Sequence, residues 1–437
     1  MRAVIALVCL ALLLPSAAKA NTIEEVRSPG GITAWLVHEP AIPIIALKIA
    51  FDGGSAYDPQ GKEGLANMLS GLLDEGAGEL DSLTFQTRLR ELAVGLGFEA
   101  GRGGFYGSLS TLSRNRDEAF ELLRLALNAP RFDAEPLERI RGQLLARLRF
   151  DARDPGAIAS RTWFAKAFDG HPYASPTRGT PDSIAAITAD DLRGYAGKVF
   201  ARDRLAIGVV GDITAEELAP ALDRIFGGLP AEAGVPPVPA ATLRAVGAVE
   251  VVDFDLPQSR VLFGGAGVAR DDPDWYAAYL LNYILGGGTL TSRLGAEVRE
   301  RRGLAYSINT YLLPLDHAPL HLGGVGTQNA RVAETLTVVR SEIARMRREG
   351  VGEDELQDAK TYINGSFPLS LTSSGAIAGV LRSMQQNDLG SDYLERRPTL
   401  FNAVTPDDIK RVAQRLLDPE AMFVVVVGRP EGVDSGG

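Results

Sequence analysis

This chain repeats itself. Ile187-Thr-Ala-Asp-Asp-Leu192, a helical stretch and Arg204-Leu-Ala-Ile-Gly-Val-Val-Gly211 recur as Val404-Thr-Pro-Asp-Asp-Ile409, a helical stretch and Met422-Phe-Val-Val-Val-Val-Gly428. Thr188 and Thr405 stand 217 residues apart, as do Gly211 and Gly428. Such a duplication restricts the fold to two similar domains. Each half opens β-rich, passes an Asp-Pro turn (Pro59; Pro273) and an amphipathic helix, and continues through two strands into several helices. Thr188 and Thr405 are placed as N-caps, with Asp191 and Asp408 three positions on. The closing runs are apolar and β-branched, which predicts strands buried on both faces.

The expected fold is α+β: two homologous domains, each a mostly antiparallel sheet packed with helices on one side. Gly227 to Ala240 is rich in Pro, Gly and Ala and reads as an extended linker. The boundaries follow: a first domain over 21–226, a linker over 227–245, a second domain over 246–430 and a disordered tail over 431–437.

Residues 1–20 have the form of a secretory signal: Arg2, an apolar run from Ala3 to Leu14, and Ala18-Lys-Ala20 for cleavage. About a dozen apolar residues are too few to span a bilayer, and no later stretch is long enough. A soluble, exported, periplasmic protein is expected. Cys9, the only cysteine, lies inside this signal, so the mature chain has no disulfide, thiolate nucleophile or Cys ligand. Without Arg2 and Lys19, 43 basic residues face 55 acidic ones, a net charge of about −12. That argues against nucleic acid or anionic membrane as the main partner.

Gly64-Leu-Ala-Asn67-Met-Leu-Ser70-Gly71-Leu72 has the period of an amphipathic helix, with Leu65, Met68, Leu69, Leu72 and Leu73 on one face. Preceded by Gly54-Ser-Ala-Tyr-Asp-Pro, it resembles the metal helix of the pitrilysin/insulinase metallopeptidases, whose pattern is Gly-Leu-Ala-His-x-x-Glu-His. Two His at i and i+4 reach one zinc ion, and the Glu polarises its water. Here those positions hold Asn67, Ser70 and Gly71. The family's third ligand, a Glu about 75 residues on, falls where this chain has Ala146 and Arg147. The four His of the mature chain offer no substitute. Pro319 separates His317 from His321, which in a strand would lie about 13 Å apart. His38 stands alone, and His171, in Gly170-His-Pro-Tyr, reads as structural.

The second half keeps the other element of that resemblance. Gly286-Gly-Gly288, Ser292-Arg-Leu and Arg299-Glu-Arg-Arg-Gly-Leu-Ala-Tyr306 resemble the family's arginine/tyrosine segment, including its seven-residue interval. On their own, Arg299 to Arg302 could equally be a solvated basic helix end stopped by Gly303, and Tyr306 an ordinary strand residue. The resemblance implies that Tyr306 stabilises the oxyanion of a tetrahedral intermediate and that Arg299 holds the peptide backbone. The runs Gly264–Gly267 and Gly286–Gly288 match no nucleotide loop. The first reads as a strand end, the second as a helix-to-helix turn.

Together these features imply a non-catalytic subunit, inactive alone and without a cofactor of its own. It would form half of a clamshell and lend Arg299 and Tyr306 to a homologous, zinc-carrying partner that cleaves unstructured peptides. The alternative is a non-enzymatic binding or assembly scaffold derived from the same family.

Overall fold

A computed structural model describes residues 22–436. The proposed signal therefore lies outside the described residues. The first half runs β1 Glu24–Arg27, β2 Thr33–His38, β3 Ile44–Asp52, α1 Leu65–Ser70, α2 Ser82–Glu91, β4 Gly95–Ala100 and β5 Gly104–Leu112. It continues through α3 Arg116–Asn128, α4 Ala134–Asp151, α5 Pro155–Ala167, α6 Pro181–Ala186 and α7 Ala189–Val199 to β6 Leu205–Gly211 and α8 Ala215–Phe226. The second half runs β7 Val249–Asp253, β8 Gln258–Ala266, α9 Trp275–Asn282, a π-helix Gly295–Arg301, β9 Ala305–Leu313 and β10 Leu320–Gln328. After it come α10 Val332–Glu349, α11 Glu353–Ser366, α12 Ser374–Gln386, α13 Tyr393–Asn402, α14 Pro406–Leu416 and β11 Phe423–Gly428.

The first sheet has the order β1-β2-β6-β3-β5-β4, the second β7-β11-β8-β10-β9. Only β2–β6 and β7–β11 pair in parallel among these strands. The α+β expectation and the duplication are both met. Thr188 and Thr405 close capping boxes with Asp191 and Asp408, and β11 and nearly all of β6 are buried. Each half has its own helix-covered core. No described helix is long and apolar enough to cross a membrane.

The halves are joined by exchanging equivalent helices. Helix α5 of the first half packs on β11 and β8 of the second, and α12 of the second packs on β6, β3 and β2 of the first. The Trp163 indole N–H donates to the Phe423 carbonyl at 3.3 Å, with the rings 5.7 Å apart. On the other side, the Ile207 N–H donates to Gln385 Oε1 at 2.5 Å. Gly208 makes this second contact feasible, because a Cβ there would stand 2.2 Å from the Ala378 carbonyl oxygen.

The tail departs from expectation. The Val249 N–H donates to the Gly436 carbonyl at 2.8 Å, and the Gly436 N–H returns to Val249 at 3.0 Å. The Val251 N–H donates to Ser435 Oγ at 2.9 Å. β7 is an edge strand with unpaired backbone groups, and the tail satisfies them as β1 does for β2.

Gly208→Ala should lower stability by about 2 kcal/mol, since backbone cannot yield to the added methyl. Gly194→Ala, mid-helix with open space around it, should raise it by about 0.5–1 kcal/mol. Urea denaturation measures both; a neutral Gly208→Ala would contradict the close helix-on-sheet contact.

Candidate functional site

The segment that resembles a metal helix is short and fully committed to packing. Leu65, Met68, Leu69, Leu72 and Leu73 are buried in the first core. Its N-terminus is held by Asp58, which accepts from the Gly64 N–H at 2.8 Å and the Ala66 N–H at 2.9 Å. Gly64 sits at φ +89°, with the Arg178 carbonyl where a Cβ would go. Burial pushes the Asp58 carboxyl up to about 7, against the pull of the Ala66 and Gly64 amides. Sequence reading missed this residue; its signal was an Asp six positions before Gly64, an N-cap that offers no side chain of its own.

Asn67 Oδ1 is buried without a hydrogen-bond partner. Ser70 Oγ donates to the Asn67 carbonyl at 2.8 Å. Gly71 faces Ile140 of α4, whose methyl lies 3.4 Å from a Cβ built at that position. Arg147, near the third-ligand position, pairs with Asp151 at 2.9 Å and lies over the Phe150 ring. One orphaned amide oxygen, a satisfied hydroxyl, a methyl group and a guanidinium are not a donor set for zinc, so the residues present do not fit the ion. Elsewhere, His171 Nδ1 accepts from the Tyr173 N–H. His321 is buried on β10, pushed down to about 4 by desolvation, with Nε2 3.1 Å from Asn282 Oδ1. His317 stands outside the strand, in the β9–β10 connection. Among the described residues no group of three or more His, Cys, Asp or Glu could hold a metal.

The arginines of the second-half segment divide into two kinds. Glu297, 5% exposed, anchors both Arg301 and Arg302. Its carboxyl is held below the usual range, first by the hydrogen bond from Arg302. Arg293 forks onto Glu355 at 2.6 and 2.8 Å and reaches the Gly350 carbonyl at 2.9 Å. Arg301 and Arg302 thus brace the π-helix from within, while Arg293 fastens its start to its neighbours. Arg299 does neither. Its one acidic contact is the adjacent Glu300 at 3.3 Å, and its guanidinium lies 4.7 Å from the centre of the Tyr306 ring.

Tyr306 is 82% exposed, and its hydroxyl has no partner among the described residues. Its backbone, by contrast, is firmly placed. Gly303 turns the chain at φ +58°, with its N–H on the Arg299 carbonyl at 3.0 Å and the Leu304 N–H on Val298 at 2.8 Å. Thr327 Oγ donates to the Leu304 carbonyl at 2.7 Å. A fixed strand start thus presents a free aromatic hydroxyl beside a guanidinium whose one acidic contact is the adjacent Glu300, an arrangement in which a donor could meet a developing oxyanion. The glycines of 286–288 end the helix at α9 rather than forming a loop over a cavity: Gly286 is pressed onto β9, where a Cβ would lie 2.5 Å from Thr310 Oγ. Asn309 and Tyr311, exposed on the same strand, were not singled out from sequence.

Residues 186–363 match the model of the peptidase M16 inactive domain. The chain is 27% identical over 418 residues, 93% of its length and 90% of the relative's, to an uncharacterized zinc protease of Streptomyces coelicolor. It is 28% identical over 329 residues, 75% of its length and 76% of the relative's, to a Helicobacter pylori protein described as a non-peptidase homolog. A crystal structure described as a peptidase M16 inactive domain, from Pseudomonas fluorescens, superposes with a TM-score of 0.88 at 27% identity, covering 94% of this chain and 98% of that one.

Two predictions follow from this geometry. The folded chain holds the Asp58 proton more tightly than the unfolded chain, where the carboxyl has its ordinary value of 3.8. That stabilising contribution is complete below about pH 4 and is lost as pH rises through about 7. Asp58→Asn, which keeps an acceptor without the charge, should therefore lose less Tm than the parent between pH 5 and pH 7.5; parallel slopes would contradict the assignment. Glu297→Gln, which weakens the hydrogen bonds at a buried carboxylate but leaves its exposed arginines solvated, should cost about 1–2 kcal/mol, whereas Arg299→Ala and Tyr306→Phe should each cost less than that variant. Thermal melts of the three variants decide this, and a large loss in either of the last two would make the pair structural.

Proposed function

We propose that this chain, similar over residues 186–363 to the peptidase M16 inactive domain, is the non-catalytic subunit of an exported zinc peptidase pair. A homologous partner with an intact His-x-x-Glu-His would bring the metal and the general base. This chain would bring the oxyanion donor and a grip on the peptide, forming half of a clamshell around an unstructured substrate in the periplasm.

The observation that supports this reading is the unequal treatment of the arginines. Arg293, Arg301 and Arg302 are bound to buried or cross-element carboxylates, while Arg299 has only the adjacent Glu300 on its Nε and lies over the ring of Tyr306, whose hydroxyl is free. A peptide carbonyl would accept from the Arg299 fork, placing the scissile carbonyl oxygen toward the Tyr306 hydroxyl. As negative charge gathers on that oxygen, the Tyr306 O–H would donate to it. Arg299, stacked on the ring, would also steady the ring's orientation. No step of the chemistry falls to the Asn67–Gly71 segment, whose residues cannot hold the ion.

A second reading, a binding or assembly scaffold without catalysis, is favoured by the relative described as a non-peptidase homolog. One assay separates them. The chain is purified alone and with its partner, and cleavage of an unstructured peptide is followed with and without chelator. The subunit reading predicts activity only for the pair, abolished by chelator, and a fall of about 100-fold in kcat for Tyr306→Phe with unchanged assembly. A pair that assembles and never cleaves would favour the scaffold, and chelator-sensitive activity of the single chain would overturn both.

A further inference from the structure

The second sheet has a face only partly covered by α5. On its open part the register sets Arg260 of β8 opposite Gly326 of β10, and Gly324 opposite Asn309 of β9. The pairing of β10 with β9 is irregular between Val325 and Thr327, the level at which Tyr306 begins β9. Arg260 and Tyr306 are thus on nearly one level, two strands or about 10 Å apart.

Between them the sheet has no side chains. Gly324 and Gly326 form a bare floor, and the Arg260 guanidinium lies along it, 3.4 Å from where a Gly324 Cβ would be and 3.9 Å from that of Gly326. It therefore points toward β9, where it acts electrostatically on the Tyr311 hydroxyl. Arg260 is exposed and has no hydrogen bond or ion pair with any described residue. In a chain whose acidic residues outnumber its basic ones, and whose neighbouring arginines are paired with carboxylates, an unpaired guanidinium laid flat beside Asn309 and Tyr311 lacks its anion.

We propose that Arg260 binds a carboxylate of the peptide substrate, so that this face selects acidic peptides or free peptide C-termini. The proposal rests on the reading of this face as a substrate surface, and deepens it by naming the substrate class. An extended peptide passing Tyr306 would put a carboxylate two or three residues away within reach of the guanidinium, with Asn309 and Tyr311 able to complete its hydrogen bonds.

The test uses the mature single chain at low ionic strength, where exposed charge is least screened. Four fluorescein-labelled unstructured peptides are titrated by anisotropy: Glu-containing or Gln-substituted, each with a free or an amidated C-terminus. The wild-type chain should prefer a carboxylate-bearing peptide by about tenfold. The Glu/Gln comparison reports a side-chain carboxylate, and the free/amide comparison a terminal one. Arg260→Gln, and Gly324→Val acting through the floor, should reduce that preference below about twofold. Arg88→Gln, on α2 of the other half, should leave it intact. Equal binding of all four peptides, no binding of any, or a preference that survives Arg260→Gln would overturn the proposal. Because affinity is read on the single chain and catalysis on the pair, failure here is distinguishable from failure of the subunit reading.

Discussion

The structure depends on one contact made twice: a helix of each half lying on the sheet of the other. α5 closes part of the second sheet through Trp163 and Phe423, and α12 closes part of the first through Gln385 and the bare backbone of Gly208. Neither half buries that sheet face by itself. The exchange converts two duplicated domains into one body, and it also decides which parts of each sheet stay open. On the second sheet the uncovered part is the one that carries Tyr306, Asn309, Tyr311 and Arg260.

That open face and the packed α1 segment differ in how their polar groups are treated. Around α1, apolar packing has taken over a helix that resembles a metal site, leaving Asn67 Oδ1 unsatisfied and a half-buried Asp58 to hold the helix start. Around the π-helix, Glu297 and Glu355 bind every arginine except the one beside Tyr306. An isolated salt bridge at a surface contributes little. The information lies in two loosely held cations of one half of the molecule: Arg299, with only the adjacent Glu300, and the exposed Arg260.

Much of this was legible in the sequence because it is periodic or local. The duplication, the Thr188 and Thr405 caps and the buried closing strands follow from spacing and residue type. So do the loss of ligands at Asn67, Ser70 and Gly71 and the Gly303 stop before Tyr306. What escaped depends on contacts distant in the chain. The pairing of Glu297 with Arg301 is local, but the burial of Glu297 that makes it hold Arg301 and Arg302 is set by packing against the rest of the fold. Arg260 looks ordinary until Gly324 and Gly326, more than 60 residues on, are paired beside it. The tail from Glu431 looks featureless because its partner is the free edge of β7. The reciprocal helix exchange was likewise invisible, since α5 and α12 read as ordinary helices of their own halves.

The central claim is that Tyr306 faces a peptide in a site completed by another chain. The most direct measurement replaces Tyr306 with a photo-crosslinking phenylalanine analogue, in the pair assembled with its partner and an unstructured peptide. The account predicts that the probe at 306 labels the peptide and, without peptide, the metal-bearing helix of the partner. Labelling no greater than from the same probe at Tyr362, an exposed aromatic on α11, would contradict it.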